Sequence, residues 1–166
     1  MNEDYSFLLK HRSKGALVDA NLLLVYLVGK TYPNRLSDFK HTKQYRDDFP
    51  LIEQVVDYFP RIYTTPNVLT EVSNLGKQVG GEFFNTLRKV ILFLDEHYCA
   101  SKDASANAQF KTLGLTDAGL CSVAAKYLVI TADLDLYLSL RAIKMDAVNL
   151  NHLRPLAWNG VLSSLR

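Results

Sequence analysis

Twice in this chain a short, wholly apolar run stops at an acidic position and passes at once into helical spacing. Ala16, Leu17 and Val18 run into Asp19, after which Leu22, Leu23, Val25, Tyr26 and Leu27 recur on one broad face; much later Tyr127 to Thr131 runs into Asp133, with a helical pattern from Leu134 to Lys144. A brief run without polar alternation is the pattern of a strand buried on both faces, which is how strands of a parallel sheet sit. Ile62 to Thr64 repeats the theme, with Thr65 as helix cap and Pro66 in the first helical turn. Parallel neighbours need long crossovers, and the helices between these runs supply them. The expected class is therefore α/β with a parallel sheet.

The remaining elements follow the same reading. Gly29 is placed to end the first of these helices, residues 51–59 form an amphipathic helix stopped by Pro60, and the apolar positions from Phe83 to Leu94 predict a long helix over 81–97. Residues 98–103 suggest a short strand, and the polar run from Ser101 to Asn107 reads as a loop or a helix start. Thr116 is a natural cap for a helix over 117–126, Ala147 to Leu150 reads as a last strand, and Trp158 as the anchor of the tail. With 166 residues, 48% of them hydrophobic, the chain holds one good core and is too short for two ordinary domains. Residues 1–166 are read as a single domain with an insertion at 30–59.

Charge excludes some partners and suggests others. A formal net charge of +2 is far from that of a tail-rich nucleic-acid protein, so any phosphate contact depends on local clustering or on a metal. Such a cluster exists between residues 30 and 46, where Lys30, Arg35, Lys40, Lys43 and Arg46 face Asp38 alone, with Tyr32, Phe39 and Tyr45 interleaved. It reads either as a segment laid over a site or as a solvated excursion, its tyrosines being packing residues rather than base-stacking ones. Lys10, His11, Arg12 and Lys14 make a shorter basic run, read as a solubility feature. Cys99 and Cys121 lack metal or disulfide spacing and are expected as buried thiols in a reducing compartment. The stretch from Met1 to Lys10 lacks a signal peptide's basic start and apolar run, and Ala16 to Val28 is too short and too polar for a membrane span. A cytoplasmic location without a membrane segment is expected. His11, His41, His97 and His152 show no metal or triad spacing, which leaves them surface or capping roles.

The chemistry is expected where the strands end, because right-handed crossovers gather those ends along one edge and open a crevice there. Asp19 and Asp133 follow strands, Glu71 lies in the helix after the second strand, and Asp117 begins another helix. Singly, each reads as a cap or a macrodipole partner. Together in one cleft they raise one another's pKa unless a proton or a cation compensates. Oxygen-only ligands favour Mg²⁺ or Mn²⁺, and such ions work beside phosphate esters.

The motifs LVDAN at 17–21, TPNVLTEV at 65–72, LTDAGL at 115–120 and VITADLDL at 129–136 resemble, in order and setting, those of the PIN domain nucleases, many of which are toxins of toxin-antitoxin pairs. The resemblance spans most of the chain. It implies a three-layer α/β/α sandwich, Rossmann-like in its central parallel sheet, and a metal-dependent endoribonuclease that hydrolyses phosphodiester bonds. Asp19, Glu71, Asp117 and Asp133 match the acidic positions, and Asn21 and Thr131 the supporting ones. Asp135 is either an accessory acid or a surface residue. On this reading Asp19 is the central ligand of Mg²⁺ or Mn²⁺, with Asp117 and Asp133 joining directly or through water. Glu71 positions or deprotonates the attacking water. RNA is the expected partner, with Lys30, Arg35, Lys40, Lys43 and Arg46 as its flank. A cognate antitoxin and a homodimer are further partners the resemblance implies. Two alternatives stand beside it: a non-cleaving module of this fold that binds RNA or a protein, and an aspartyl-phosphate hydrolase or receiver. Asn21 argues against the second, since such a phosphatase wants an acid there.

Overall fold

The computed structural model describes residues 3–164, so the first two residues of the amino-terminal stretch read above lie outside it. Five strands form one sheet: β1 (Ala16–Val18), β2 (Ile62–Thr64), β3 (Asp95–Glu96), β4 (Leu128–Thr131) and β5 (Ala147–Asn149). Their spatial order is β3-β2-β1-β4-β5, and every neighbouring pair is parallel. Strands β1, β4 and β5 are buried throughout, which accounts for their largely apolar sequence, while β2 is fully buried only at Thr64.

Around the sheet lie α1 (Glu3–His11), α2 (Ala20–Thr31), α3 (Phe49–Asp57), α4 (Pro66–Leu75), α5 (Gly81–Ile91), α6 (Ser101–Ala106), α7 (Phe110–Val123), α8 (Leu134–Ala142) and α9 (Leu150–Trp158). From β1 the chain moves outward through β2 to β3, then returns to the other side of β1 as β4 and β5. With right-handed crossovers, reversing direction puts the two sets of helices on opposite faces. The α/β/α sandwich follows, and its crevice falls where the strand order reverses, between the ends of β1 and β4. Asp19 and Thr131 stand at those two ends.

Several local expectations are corrected. Gly29 does not end α2, which continues to Thr31; a Cβ there would meet the Phe49 ring at 2.0 Å, so the glycine serves close packing of α3 on α2. The α3 helix starts at Phe49 with Pro50 in its first turn and stops at Asp57. The helix expected over 81–97 stops at Ile91, and the strand expected at 98–103 lies earlier, at Asp95–Glu96, with α6 beginning at Ser101. Apolar periodicity overran the end because Leu94 keeps the helical spacing from Val90 and Ile91 and still packs against the core from beyond the helix. Leu150 opens α9 instead of ending β5, capped by the Asn149 side chain, which accepts the Asn151 N–H at 2.9 Å. Trp158 anchors nothing within the described residues, being 82% exposed.

Thr116 is not the cap of its helix. Gly114, at φ 82° and ψ −177°, breaks α7 into two segments, so Leu115, Thr116 and Asp117 form the first turn of the second. A side chain at that φ is strained, which is why glycine stands there. Cys121 is buried and Cys99 half-buried, both as free thiols. Of the histidines, His11 is neither surface nor cap: it is buried and its Nε2 lies 2.8 Å from Asp146 Oδ2. Lys10, whose Nζ lies 2.6 Å from the same oxygen, helps tie α1 to the loop before β5. Among the described residues no helix is long and apolar enough to cross a membrane.

Candidate active site at the carboxyl edge of the sheet

Asp19 is fixed from three directions. Its backbone continues the β1–β4 ladder, its N–H donating to the Ile130 carbonyl at 3.1 Å, and its Oδ1 caps α2 by accepting the Leu22 N–H at 2.7 Å. The Thr131 hydroxyl donates to Oδ2, while its own oxygen accepts the Asp133 N–H at 2.9 Å. Thr131, wholly buried, thus joins the acid ending β1 to the loop after β4. Asp133 in turn caps α8, its Oδ1 accepting the Asp135 and Leu136 N–H groups at 2.8 and 3.0 Å. Two acids that propensity alone reads as caps are caps, and they are also neighbours.

Their fields meet at Asp117. Burial first, and then the charges of Asp19, Asp133 and Glu71, push its carboxyl up to about 7. Asp19, only 3% exposed, is pushed up to about 6, mainly by burial and further by Asp133, against the lowering pull of Thr131 and of the Leu22 and Ala132 backbone. The four expected acids therefore share one electrostatic neighbourhood. None of them enters an ion pair among the described residues. Glu71 opens onto a groove of about 260 Å³ between α4 and α7, bordered by Asn67, Thr70, Asn74 and Thr116. Asn21 sits half-buried in the first turn of α2, beside the Asp19 cap. Asp135 is exposed, and only its backbone N–H enters the network.

The donor chemistry fits a hard divalent cation: oxygen ligands alone, excess negative charge, and two carboxyls, Asp19 and Asp117, raised first by burial and then by neighbouring acids. Among the described residues no three His, Cys, Asp or Glu side chains converge as a ready-made cage. Mg²⁺ typically retains several waters and is bound through one or two carboxylates.

The basic segment divides. Lys30 Nζ is committed to Glu53 at 2.6 Å and Asp57 at 3.4 Å, and Arg35 Nε to Asp38 at 2.8 Å. Lys40, Lys43 and Arg46 are exposed and enter no ion pair among the described residues. Two side chains near this edge escaped the sequence reading. Asn149 ends β5 in register with Thr131, is wholly buried, and its Nδ2 has no hydrogen-bond partner among the described residues. Its signal was present, an apolar run stopping at a polar cap as at Asp19. Tyr45 is the other: burial first, and then the charges of Asp19 and Asp133, raise its phenol against the pull of Gln44 and Arg154. Nothing local announces that approach, which depends on the path of a whole segment. No family model, curated protein or solved structure matches the chain.

Proposed function

We propose that the chain is a Mg²⁺- or Mn²⁺-dependent endoribonuclease, hydrolysing RNA phosphodiester bonds at the carboxyl edge of its sheet. The observation that carries this reading is Asp117: its carboxyl is raised to about 7 by burial and by three other acids, and no cation is paired with any of them among the described residues. Four carboxylates gathered at a strand-order reversal are costly to a bare fold and useful to a site that takes up positive charge. The motifs that resemble the PIN nucleases supply these same four residues, which supports the same conclusion.

Asp19 would be the central ligand of the ion, with Asp117 and Asp133 joining directly or through water; when bound, the ion would screen the scissile phosphate and lower the pKa of water. Thr131 and the Leu22 N–H orient the Asp19 carboxylate, a role in which lost hydrogen bonds weaken metal sites. Glu71, beside the open groove, orients or deprotonates the attacking water, and Asn21 steadies the phosphate. RNA reaches the edge past Lys40, Lys43 and Arg46. A toxin's role, with an antitoxin segment covering the edge, and pairing with a second copy belong to this reading as partners.

Purified protein is incubated with structured and unstructured RNAs in Mg²⁺ or Mn²⁺, with and without chelator. Cleavage is expected with metal only, and Asp19→Asn is expected to reduce it by about a hundredfold or more. Equal cleavage by Asp19→Asn contradicts the assignment.

A further inference from the structure

Leu92 and Phe93, in the turn after α5, are 79% and 82% exposed, and Phe84 and Ile91 on the helix itself are partly open to solvent as well. Single apolar residues scattered over a surface need no explanation, but a group of them at one helix end does. Here they make a ridge with a hollow on each side. Phe93 lines a cavity of about 450 Å³ that Leu23, Tyr26, Val56, Ile62 and Val90 also line. Leu92 lines a second hollow of about 440 Å³ with Glu82, Asn85, Arg88 and Lys89. An apolar cavity of about 150 Å³ already admits a benzene ring, so the first one has room for another phenylalanine side chain. Ile62 opens β2 and Leu94 precedes β3, which puts this surface toward the amino ends of the strands, away from Asp19 and Thr131.

The two hollows carry opposite charge. Beside the cavity, Asp57 accepts the Tyr26 hydroxyl at 2.7 Å and lies 3.4 Å from Lys30 Nζ, which is 2.6 Å from Glu53. One lysine against two carboxylates leaves that rim negative. Around the second hollow, Arg88 and Lys89 are exposed and enter no ion pair among the described residues, while Glu82 accepts the Asn85 amide at 3.2 Å. That rim is positive. A knob beside a hole, with a cationic rim on one side and an anionic rim on the other, is a surface complementary to itself, as a two-fold interface requires. Half a turn about an axis between ridge and cavity seats Phe93 of a second copy in the cavity of the first. The same turn sets Asp57 of that copy against Arg88 and Lys89, and symmetry returns both contacts.

We propose that the ridge of Leu92 and Phe93 and its adjoining cavity form the interface of a two-fold dimer of this chain, Phe93 of each copy entering the cavity of the other and the charged rims fixing the register. The surface lies outside the acidic site, so the proposal stands or falls apart from the ribonuclease reading.

Sedimentation velocity over a concentration series reads the association of the full-length chain and its variants, with circular dichroism as the check that each variant folds. The parent is expected to dimerise. Phe93 is exposed and can be truncated without opening the core; Phe93→Ala is expected to weaken the dimer about thirtyfold or more. Asp57→Lys in one variant, and Arg88→Asp with Lys89→Asp in another, set like charges against each other at both rims, and each variant alone is expected to stay monomeric. Mixed in equal amounts, the two are expected to form a heterodimer, because both rims then meet opposite charges. Should Asp57→Lys not fold, Phe93→Ala still decides. A parent that is monomeric throughout the series overturns the proposal, and Phe93-dependent uptake of anilinonaphthalene sulfonate by that monomer makes a small apolar ligand the occupant instead. A dimer indifferent to Phe93→Ala, or folded charge variants that do not pair on mixing, overturns it as well. RNA cleavage is measured alongside: Asp19-dependent cleavage by a monomeric parent removes this proposal alone, and the predicted dimer without cleavage removes only the ribonuclease reading.

Discussion

Asp117 has an exposed enough position to meet solvent and yet sits where three other acids oppose its charge. Its carboxyl at about 7 and that of Asp19 at about 6 both lie above the ordinary value of 3.8. Between the ordinary value and these raised ones the folded chain holds protons that the unfolded chain has released, so stability falls as pH rises through that window. Asp146 is shifted the other way, downward, by Lys10 and His11 acting against its burial, and its contribution is lost only in stronger acid. The metal-free chain is accordingly expected to melt at a higher temperature at pH 5.5 than at pH 8. Asp117→Asn, which removes the charge and keeps the shape, is expected to raise the melting temperature at pH 8 and to flatten the slope. Melting by circular dichroism across that range in chelator checks both, and a flat or rising profile in the parent chain contradicts the shared electrostatic neighbourhood.

At the scale of elements, the position of Asp117 depends on Gly114. Its φ of 82° lets the second segment of α7 start afresh, with Asp117 in its first turn beside α4. Gly114→Ala meets no neighbouring atom within 4 Å, so its cost is backbone strain alone, about 1–3 kcal/mol. Denaturant unfolding is expected to report that loss, and RNA cleavage a larger relative loss as the Asp117 turn shifts; stability equal to the parent contradicts the account of the break. The break also explains what could be read in advance. Strand ends were legible, because burial on both faces forces an unbroken apolar run and the next helix demands a cap, as at Asp19, Thr65 and Asp133. Helix ends were not. Leu94 keeps the helical spacing beyond the last turn of α5, and the glycine that truly starts the Asp117 helix lies two residues ahead of Thr116, a residue with better capping chemistry.

For the whole molecule, the parallel sheet and its reversal of strand order are enough to bring residues 19 and 131 into hydrogen-bonding contact across 112 positions of sequence. Asp19, Asp117 and Asp133 were legible because each occupies a strand end or helix start that topology gathers at one edge, and Glu71 because its helix follows β2 directly. The Asp48–Arg154 pair was not, because it joins residues 106 positions apart that no local pattern links. The central claim is that these acids form one cation-accepting site whose protons leave when the metal enters. Calorimetric titration of Mn²⁺ at pH 6.5 in buffers of different ionisation enthalpy counts those protons. The account predicts Asp19-dependent binding that releases about one proton per chain, falling sharply in Asp117→Asn. Binding without proton release, or release unchanged in both Asp19→Asn and Asp117→Asn, contradicts it.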